Sequence, residues 1–444
     1  MKNILIIGAG RSSYPLIQYL LEQAPQQAWF ITVADSSPER ASSKIGTQSN
    51  ARAIWLDVTK SNDRKELISR SDVVISLLPA HLHLEVAHDC IKLKKDILTS
   101  SHITHQMFRL GDEARDRELL FTGEMGLEPG LEHMSIIQNL NQLKEQGAKI
   151  NAFRSYTGGL LAQDSPSNPW GYKFTWNPRN VVLAGQGTAQ YLVDNKLRYQ
   201  TYNTLFRDHT LVKVPECGTF ESFGSRDSLL YREAYGLIDV PNIYRGTLRE
   251  QGFCAAWNAL IQLGLTDGDF PILHSDNISY YQLVDGIVGD VSGNTLKERV
   301  ANLLEEEVDG PVIQKLQWLG LFSKKKIKLP RATPALILEH LLREKWLLNE
   351  GDKDRIIIHH QFDYELGRKK YTRYSTLDLV GDNHENTAVA KAVGLPIAVL
   401  FRYITENDIS DRGVGVPLEK RIYEPVLAEL ATHGLAFKTF DEAK

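Results

Sequence analysis

The sequence predicts an α/β protein whose first part is a doubly wound parallel sheet. Six short β-branched runs alternate with helix-like segments over roughly the first 130 residues, the order expected of parallel strands covered by helices on both faces. A glycine turn follows the first run directly, and Pro15 and Pro38 stand where the first turn of a helix tolerates proline. The six runs are residues 3–7, 29–34, 53–56, 72–78, 95–99 and 119–121.

The pattern changes after residue 130, and a length of 444 residues allows about three domains. We expect a first domain of residues 1–128, with helices from about 395–444 packing back on it. A second, α/β domain would comprise residues 129–250 and 350–394, and a mainly helical domain residues 251–349. Apolar spacing predicts helices at 131–146, 253–263, 296–306, 336–347, 395–404 and 418–433, and strands at 149–156, 355–364 and 369–379.

Composition excludes several classes of protein. Lys plus Arg number 51 against 55 Asp plus Glu, so the net charge of −4 provides no basic field for nucleic acid. Three cysteines, Cys90, Cys217 and Cys254, lack CxxC spacing, which disfavours disulfides and zinc and fits a reducing cytosol. The first apolar run is too short for a signal peptide, and no stretch approaches the roughly 18 apolar residues of a membrane span. We therefore expect a cytoplasmic protein without membrane or nucleic-acid partners.

The glycine turn is typical of a dinucleotide site. Gly8 and Gly10 follow a strand and open a helix, so a pyrophosphate could approach amides at the positive end of that helix. The third position of the fingerprint is Ser13 instead of Gly or Ala, which leaves open a glycine turn without a ligand. These features together indicate a Rossmann-type domain.

Asp35 ends the second strand and favours NAD over NADP, because a carboxylate there accepts ribose hydroxyls and repels a 2′-phosphate. Arg11 and Arg40 are close enough in sequence to weaken this preference, and NADP stays the less favoured alternative. A second interpretation of Asp35 is a helix cap before Pro38.

Ligands of such a sheet gather at the carboxyl ends of its strands. In this chain those ends are residues 57–58, 76–79, 100–102 and 126–128. The last two carry titratable groups, His102 and Glu128, near the position expected for the nicotinamide.

Eight segments resemble the saccharopine dehydrogenase family, and most of all its glutamate-forming branch. They are 72–79 (DVVISLLP), 99–101 (TSS), 126–133 (GLEPGLEH), 155–159 (SYTGG), 168–176 (NPWGYKFTW), 225–228 (SRDS), 245–249 (RGTLR) and 318–322 (WLGLF). Their order and spacing match along nearly the whole chain. The resemblance implies a Rossmann variant joined to an α/β substrate and dimerisation domain, with a helical third domain over the cleft, in a homodimer.

The activity implied by the resemblance is a reversible hydride transfer. A nicotinamide oxidises saccharopine, a secondary amine linking lysine and glutamate, and water hydrolyses the imine to glutamate and 2-aminoadipate 6-semialdehyde. No lysine-ketoglutarate reductase domain precedes Met1, so we expect the separate, monofunctional form.

The strand-end pattern and the resemblance together assign site residues. The cofactor set is Gly8, Ala9, Gly10, Arg11, Ser12, Asp35, Ser36, Asp57, Val58, Leu77, Thr99, Ser100, Gly126, Leu127, Glu128 and Trp176. The substrate set is Ser101, His102, Glu128, Thr157, Arg226, Thr247, Leu248 and Arg249, with Arg245 and Lys173 in reserve. Saccharopine carries three carboxylates, so an acidic protein needs a few focused cations, ideally the bidentate fork of Arg.

Three polar positions depart from the family pattern, which has Tyr, Asp and Cys where this chain has His102, Glu128 and Thr157. The imidazole of His102 suits proton transfer near neutrality, and we expect Glu128 to position the substrate amine. The alternatives are a packing or capping role for His102 and a loop acid before Pro129 for Glu128. We expect His133 to be a structural, hydrogen-bonded helix residue.

These departures leave other functions open. The chain could be a related amine dehydrogenase acting on lysine or another N-linked amino acid, or a nonenzymatic NAD-binding protein. For each Arg, a surface ion pair is the alternative to substrate binding. His81, His83 and His88 follow the fourth strand, but we expect solvated histidines there and no metal site.

Overall fold

The computed structural model describes residues 1–165, 167–407 and 412–444. Its strands are β1 (Lys2–Ile7), β2 (Trp29–Asp35), β3 (Ala51–Trp55), β4 (Val73–Ser76), β5 (Asp96–Thr99), β6 (Leu120–Thr122), β7 (Lys149–Leu161), β8 (Ala189–Val193), β9 (Lys196–Gln200), β10 (Thr210–Val214), β11 (Gly218–Gly224), β12 (Asn242–Arg249), β13 (Ile272–Leu273), β14 (Arg331–Ala332), β15 (Asp354–Leu366), β16 (Lys369–Val380), β17 (Gly413–Gly415) and β18 (Lys438–Ala443).

Its helices are α1 (Tyr14–Gln27), α2 (Pro38–Ile45), α3 (Ser61–Ser69), α4 (His83–Leu93), α5 (His105–Phe108), α6 (Gly111–Asp116), α7 (Leu131–Glu145), α8 (Pro178–Leu183), α9 (Tyr202–Leu205), α10 (Phe253–Gln262), α11 (Tyr280–Val288), α12 (Leu296–Leu304), α13 (Pro311–Leu319), α14 (Pro334–Trp346), α15 (Ala388–Asn407) and α16 (Lys420–Thr432). Short 3-10 turns span Arg11–Ser13, Ala80–Leu82, Ala184–Gln186 and Ser275–Asn277.

The chain forms two compact units. The first comprises residues 1–146 and 381–437, and the second residues 147–380 and 438–444. The first unit therefore extends beyond the predicted limit of residue 128, because α7 packs on α15 and α16. Residues 408–411, inside the predicted C-terminal helical region, lie outside the described residues. A separate helical domain at 251–349 stays a prediction.

The first unit contains a parallel sheet in the order β17-β6-β5-β4-β1-β2-β3. The six predicted strands are all present, and the doubly wound α/β class is confirmed. The seventh strand, β17, comes from the C-terminal region, which the sequence predicted as helix, and pairs in parallel with β6. Apolar residues of the strands and of α4 form the core on one face, including Leu5, Val74, Ile97 and Phe121.

The longest helix of the first unit is α15, which packs against α1 and α16. By length and composition alone α15 could cross a membrane, contrary to the expectation that no segment would. Two thirds of its apolar window (67%) is buried inside the structure, as in the core helix of a soluble protein, so the feature is weak evidence for a membrane span. A helix that is buried in the core of a protein is apolar around most of its surface and has the same composition as a membrane span.

The second unit is built on a mixed sheet in the order β10-β11-β12-β7-β15-β16-β18, with β8 beside β12 and β9 beside β8. The β12 and β7 strands are parallel, whereas β7, β15, β16 and β18 pair antiparallel in sequence. The sequence did not predict the five strands β8 to β12, and it predicted helix where β18 forms.

A small apolar core lies on one surface of this sheet. On the opposite surface, the helices of the second unit enclose a separate and larger apolar core. Its centre is aromatic: the rings of Trp170, Phe253, Trp257 and Trp346 contact one another edge to face or stacked. Predicted helices at 253–263, 296–306 and 336–347 are confirmed as α10, α12 and α14.

Candidate active site

The glycine turn connects β1 to the 3-10 turn that precedes α1. Gly8 has a φ of +109°, and a Cβ there would lie 3.0 Å from the carbonyl oxygen of Leu77, so both backbone angle and space require glycine. Beyond its chain neighbours, no atom of the described residues lies within 4 Å of a Cβ built on Gly10, so the space beside this glycine is open there. These features fit a dinucleotide whose pyrophosphate rests on the amides at the start of the helix.

Ser13, the departure from the third glycine, has a buried hydroxyl that donates to the Gly10 carbonyl at 2.9 Å. The same hydroxyl accepts from the ammonium of Lys44 at 2.8 Å, and this ammonium also contacts the Gly10 carbonyl oxygen. Lys44 is 7% exposed, and burial lowers its pKa to about 8. A buried cation of α2 therefore ties the glycine turn to the next helix, a role that the sequence did not indicate.

Asp35 at the end of β2 also contacts the turn. One carboxylate oxygen accepts from the Ala9 amide at 2.6 Å and the other from the Ser37 amide at 2.9 Å. The residue that caps α2 is Ser37, whose side chain accepts from the Arg40 amide, so the capping interpretation of Asp35 is wrong. A carboxylate has about four lone-pair sites, and the two amides leave acceptor capacity for ribose hydroxyls.

The ends of β4 and β5 are joined by a buried histidine. Nδ1 of His83 forms a hydrogen bond with the Ser76 hydroxyl (2.9 Å), and Nε2 forms one with the Ser101 hydroxyl (2.8 Å). His83 is 3% exposed, and burial lowers its pKa to about 4, so the ring is neutral near pH 7. The expectation of a solvated His83 is wrong, although His81 and His88 are exposed. The spacing of His83 with Val86, Ala87 and Cys90 marks the buried face of α4 and could have predicted this.

The segment after β6 runs beside the end of β5. The Glu124 amide donates to the Ser101 carbonyl (3.0 Å) and the Met125 amide to the Thr99 carbonyl (3.2 Å). Glu124 is 5% exposed, with one carboxylate oxygen 3.8 Å from Nδ1 of His102 and the other 3.9 Å from Nε2 of His133. His102 itself is 38% exposed. The structure thus places His102 beside a buried carboxylate that the sequence analysis missed.

Glu128 lies half-buried in a tight loop that follows this segment. Gly130 has a φ of +138°, and a Cβ there would lie 2.1 Å from the Gly126 carbonyl oxygen, so only glycine fits. A Cβ on Gly126 would in turn lie 2.8 Å from the carbonyl oxygen of Ser100. The loop is therefore held against the end of β5, and residues predicted for cofactor and substrate meet at this edge of the sheet.

The other predicted residues of the first unit lie at the same carboxyl edge. Asp57 accepts from the Thr59 amide and hydroxyl, and these bonds lower the pKa of the Asp57 carboxyl. The Val58 carbonyl accepts from Arg64 at 2.5 Å. The remaining positions are Ser12 in the 3-10 turn with Arg11, Ser36 after β2, Leu77 beside Gly8, Thr99 at the end of β5 and Leu127 in the Glu128 loop.

In the second unit, four of the predicted substrate residues lie on the paired strands β7 and β12, whereas Arg226 lies in the loop after β11. Thr157 and Thr247 are direct neighbours in the parallel register, and both the hydroxyl of Thr157 and Nε of Arg249 are buried with no hydrogen-bond partner among the described residues. Arg249 lies two residues beyond Thr247 and shares its sheet face, since side chains alternate. Leu248 lies on the opposite face, where its side chain is buried in the core, which leaves only its backbone for a ligand on the Thr247 face.

Arg249 is a buried cation surrounded by aromatic rings. Its guanidinium carbon lies 4.7 Å from the ring centre of Tyr172, 5.4 Å from Phe253 and 5.8 Å from Phe223. One nitrogen donates to the Leu248 carbonyl at 2.8 Å, and Arg249 is 7% exposed. A buried charge is costly unless it is paired, so this arrangement favours an anionic ligand.

The other predicted cations differ in their surroundings. Arg226 is exposed, has a φ of +48°, and its guanidinium has no ion-pair partner among the described residues. Arg245 is buried over the ring of Tyr231. Lys173 forms a buried ion pair of 2.6 Å with Asp352, which compensates its charge, and its substrate role stays a prediction. Trp176 is 37% exposed on the loop before α8.

Comparisons with known proteins agree with this arrangement. Residues 4–121 match the family model described as the saccharopine dehydrogenase NADP binding domain, and residues 126–435 match the saccharopine dehydrogenase C-terminal domain. A saccharopine dehydrogenase [NADP(+), L-glutamate-forming] of Pyricularia oryzae is 32% identical over 439 residues, which are 97% of this chain and 96% of the fungal enzyme.

Two further relatives extend the comparison. The mitochondrial alpha-aminoadipic semialdehyde synthase of Bos taurus is 32% identical over 99% of this chain, which spans 48% of that longer protein. The solved structure of apo saccharopine dehydrogenase (L-Glu forming) from Saccharomyces cerevisiae covers all of this chain with a TM-score of 0.90 and 29% identity. The predicted resemblance is confirmed, and the first unit is a pyridine-nucleotide-binding domain. The chain belongs to the saccharopine dehydrogenase family.

Proposed function

We propose that the protein is a saccharopine dehydrogenase of the L-glutamate-forming type. The observation that carries this proposal is the match to an enzyme of that name over 97% of the chain. The reaction consumes saccharopine, water and an oxidised pyridine nucleotide. Its products are L-glutamate, 2-aminoadipate 6-semialdehyde, the reduced nucleotide and a proton.

The chemistry of the second unit supports an anionic amino-acid substrate. We assign one substrate carboxylate to Arg249, since a bidentate pair would compensate a guanidinium that is buried among aromatic rings. Thr157 and Thr247 lie on the same face and offer hydroxyls for hydrogen bonds. The exposed Arg226 would take a second carboxylate, and the backbone of Leu248 completes the set.

The first unit would supply proton transfer. Bound nucleotide provides the hydride acceptor, and the residues of this chain hold the substrate and move its protons. His102 would take a proton from the substrate ammonium, because an imidazole can accept a proton and this one lies beside a carboxylate. Glu128 would hold the amine, and Ser101 would donate or accept a hydrogen bond as directed by the neutral ring of His83.

We further propose that NAD is preferred over NADP, in contrast to the name of the Pyricularia oryzae relative. Asp35 keeps a carboxylate at the end of β2, fixed by the Ala9 and Ser37 amides, where it would repel a 2′-phosphate. Asp35→Asn keeps hydrogen-bond acceptance and removes the charge, so it should lower discrimination against NADP. Asp63→Asn, which removes an exposed carboxylate in the first turn of α3, is the control. A wild-type protein that prefers NADP would overturn this proposal.

The main test is a turnover assay with purified protein. Saccharopine or free lysine is added with NAD or NADP, and absorbance of the reduced nucleotide is followed. We expect turnover with saccharopine and the release of glutamate. Absence of a rate with saccharopine would refute the proposed function; turnover of lysine or another N-linked amino acid would then identify a related amine dehydrogenase. Nucleotide binding without turnover of any amine would indicate a nonenzymatic NAD-binding protein.

Assembly and location also belong to the proposal. We propose a homodimer in the cytoplasm, with small molecules as its ligands and without nucleic-acid partners. Light scattering of the purified protein gives its mass, and a monomer at working concentration would overturn the dimer. Fractionation of cells would place the protein in the soluble or membrane fraction.

A further inference from the structure

The carboxylate of Glu124 lies between two histidines. One oxygen is 3.8 Å from Nδ1 of His102 and also accepts from the Ile103 amide at 3.1 Å. The other oxygen is 3.9 Å from Nε2 of His133 on α7. Glu124 thus links the segment after β5 to α7 through one buried side chain.

This carboxylate is held in an unfavourable conformation and environment. Glu124 has a backbone φ of +57°, in the left-handed region that residues other than glycine rarely adopt. It is 5% exposed, and burial of an ionised carboxylate is costly without compensation. Burial acts to raise the pKa of Glu124, but His102, His133 and the Ile103 amide outweigh it and hold that pKa below its usual value. Glu124 is therefore ionised near neutral pH.

We propose that Glu124 is a positioning residue that fixes the ring of His102 and stabilises its protonated form during proton transfer. The proposal rests on the function proposed above and specifies how its proton acceptor is held. In the direction of saccharopine oxidation, Nε2 of His102 takes the proton from the substrate ammonium as that N–H bond breaks. The ring becomes an imidazolium with Nδ1–H directed at Glu124. Glu124 stays ionised and takes no proton.

Three other groups lie close enough to affect the charges of Glu124 and His102. His133 faces Glu124 from α7 and shares its second oxygen. His83 of α4 contacts Ser101, whose carbonyl accepts from the Glu124 amide, and its low pKa of about 4 keeps it neutral in the working range. The Ile103 amide is a fixed dipole that any carboxamide at position 124 could still bond.

The test is a double-mutant cycle with Glu124→Gln and His102→Gln. Glutamine keeps the side-chain length and the acceptor for the Ile103 amide, so the E124Q variant removes mainly charge. We expect kcat/KM for saccharopine near pH 7 to fall about 10- to 100-fold, largely through kcat, as for other residues that orient a functional histidine. The acidic limb of the pH profile should differ between the E124Q variant and the wild type, because a carboxylate beside the proton acceptor favours its protonated form. The double variant should be no slower than H102Q alone.

Controls separate positioning from folding. Circular dichroism and nucleotide affinity should be unchanged in the E124Q variant, and Glu124→Asp, which restores the charge, should recover part of the activity and of the acidic limb. An unchanged pH profile in E124Q, or additive effects of E124Q and H102Q, would overturn the inference. If the wild type turns over saccharopine in the same assay, such a result leaves the proposed function intact; an inactive wild type overturns both.

Discussion

Lys44→Met removes the buried ammonium that contacts the Gly10 carbonyl and the Ser13 hydroxyl. Burial lowers the pKa of Lys44 from 10.5 to about 8, with opposing contributions from Glu385 and Asp35. Each unit of pKa difference corresponds to about 1.4 kcal/mol. Below pH 8, burial of the charged ammonium therefore costs the folded state about 3 kcal/mol.

The sign of the pH dependence follows from the lowered pKa. Between pH 8 and 10.5 the unfolded chain binds more protons than the folded chain, so stability rises with pH. By pH 10, about 2.5 kcal/mol of the cost is removed in the wild type, whereas methionine at position 44 does not titrate. The wild type should therefore gain about 2.5 kcal/mol relative to K44M between pH 7 and pH 10.

Denaturant unfolding gives the free energy of unfolding of wild type and K44M at pH 7 and at pH 10. The change with pH in the difference between the two proteins measures this gain. Lys92→Met, at an exposed position of α4, is the control and should follow the wild type. K44M should also bind the nucleotide about tenfold more weakly, since a hydrogen bond to a charged group is worth about 1.5 kcal/mol or more. Parallel pH curves for wild type and K44M would refute the reasoning.

The remaining predictions concern four other positions. Arg249→Met should raise KM for saccharopine about 100-fold, because loss of a bidentate pair costs about 3 kcal/mol. The control is Arg154→Met: Arg154 forms a partly exposed ion pair of 3.0 Å with Asp363, so KM should change less than about twofold. Equal KM values for the two variants would contradict this. The pKa of His83 falls from 6.5 to about 4 on folding, so the wild type should lose about 3 kcal/mol of folding stability as the pH drops through that window. His83→Asn should remove this loss of stability. Unfolding midpoints at pH 7 and pH 4 measure it. Gly130→Ala should lower stability by more than about 2 kcal/mol in thermal unfolding, because its Cβ would lie 2.1 Å from a backbone oxygen; an unchanged midpoint would show that the loop can shift.

The fold of the first unit was predictable because its signals are local. Apolar runs of three to seven residues and a glycine turn indicate burial on both faces of a parallel sheet, and all six predicted strands formed. The missed strands have a different physical origin. The β17 strand has only three residues, two of them glycine, and exists because the edge of β6 offers unpaired backbone groups. The β18 strand is exposed and charged, and pairs with β16 for the same reason.

The candidate site was predictable in part. The strand-end rule and the family motifs brought attention to His102, Glu128 and Arg249, and the structure places the first two at one sheet edge and Arg249 in a buried aromatic cage. Neither rule indicated Glu124 or Lys44. An isolated acid or lysine in a loop or helix has no periodicity that distinguishes it from surface charge, and its burial depends on distant elements.

The sequence by itself determined the α/β class, the dinucleotide turn and the family, because these depend on residues that are neighbours along the chain. Only the tertiary structure decided which polar groups meet. Glu124 contacts residues 22 positions before it and 9 after it, and Lys44 reaches a turn 34 positions earlier. Such contacts follow from how strand ends and helix faces pack, and packing is set by the sum of many buried contacts instead of by any local pattern.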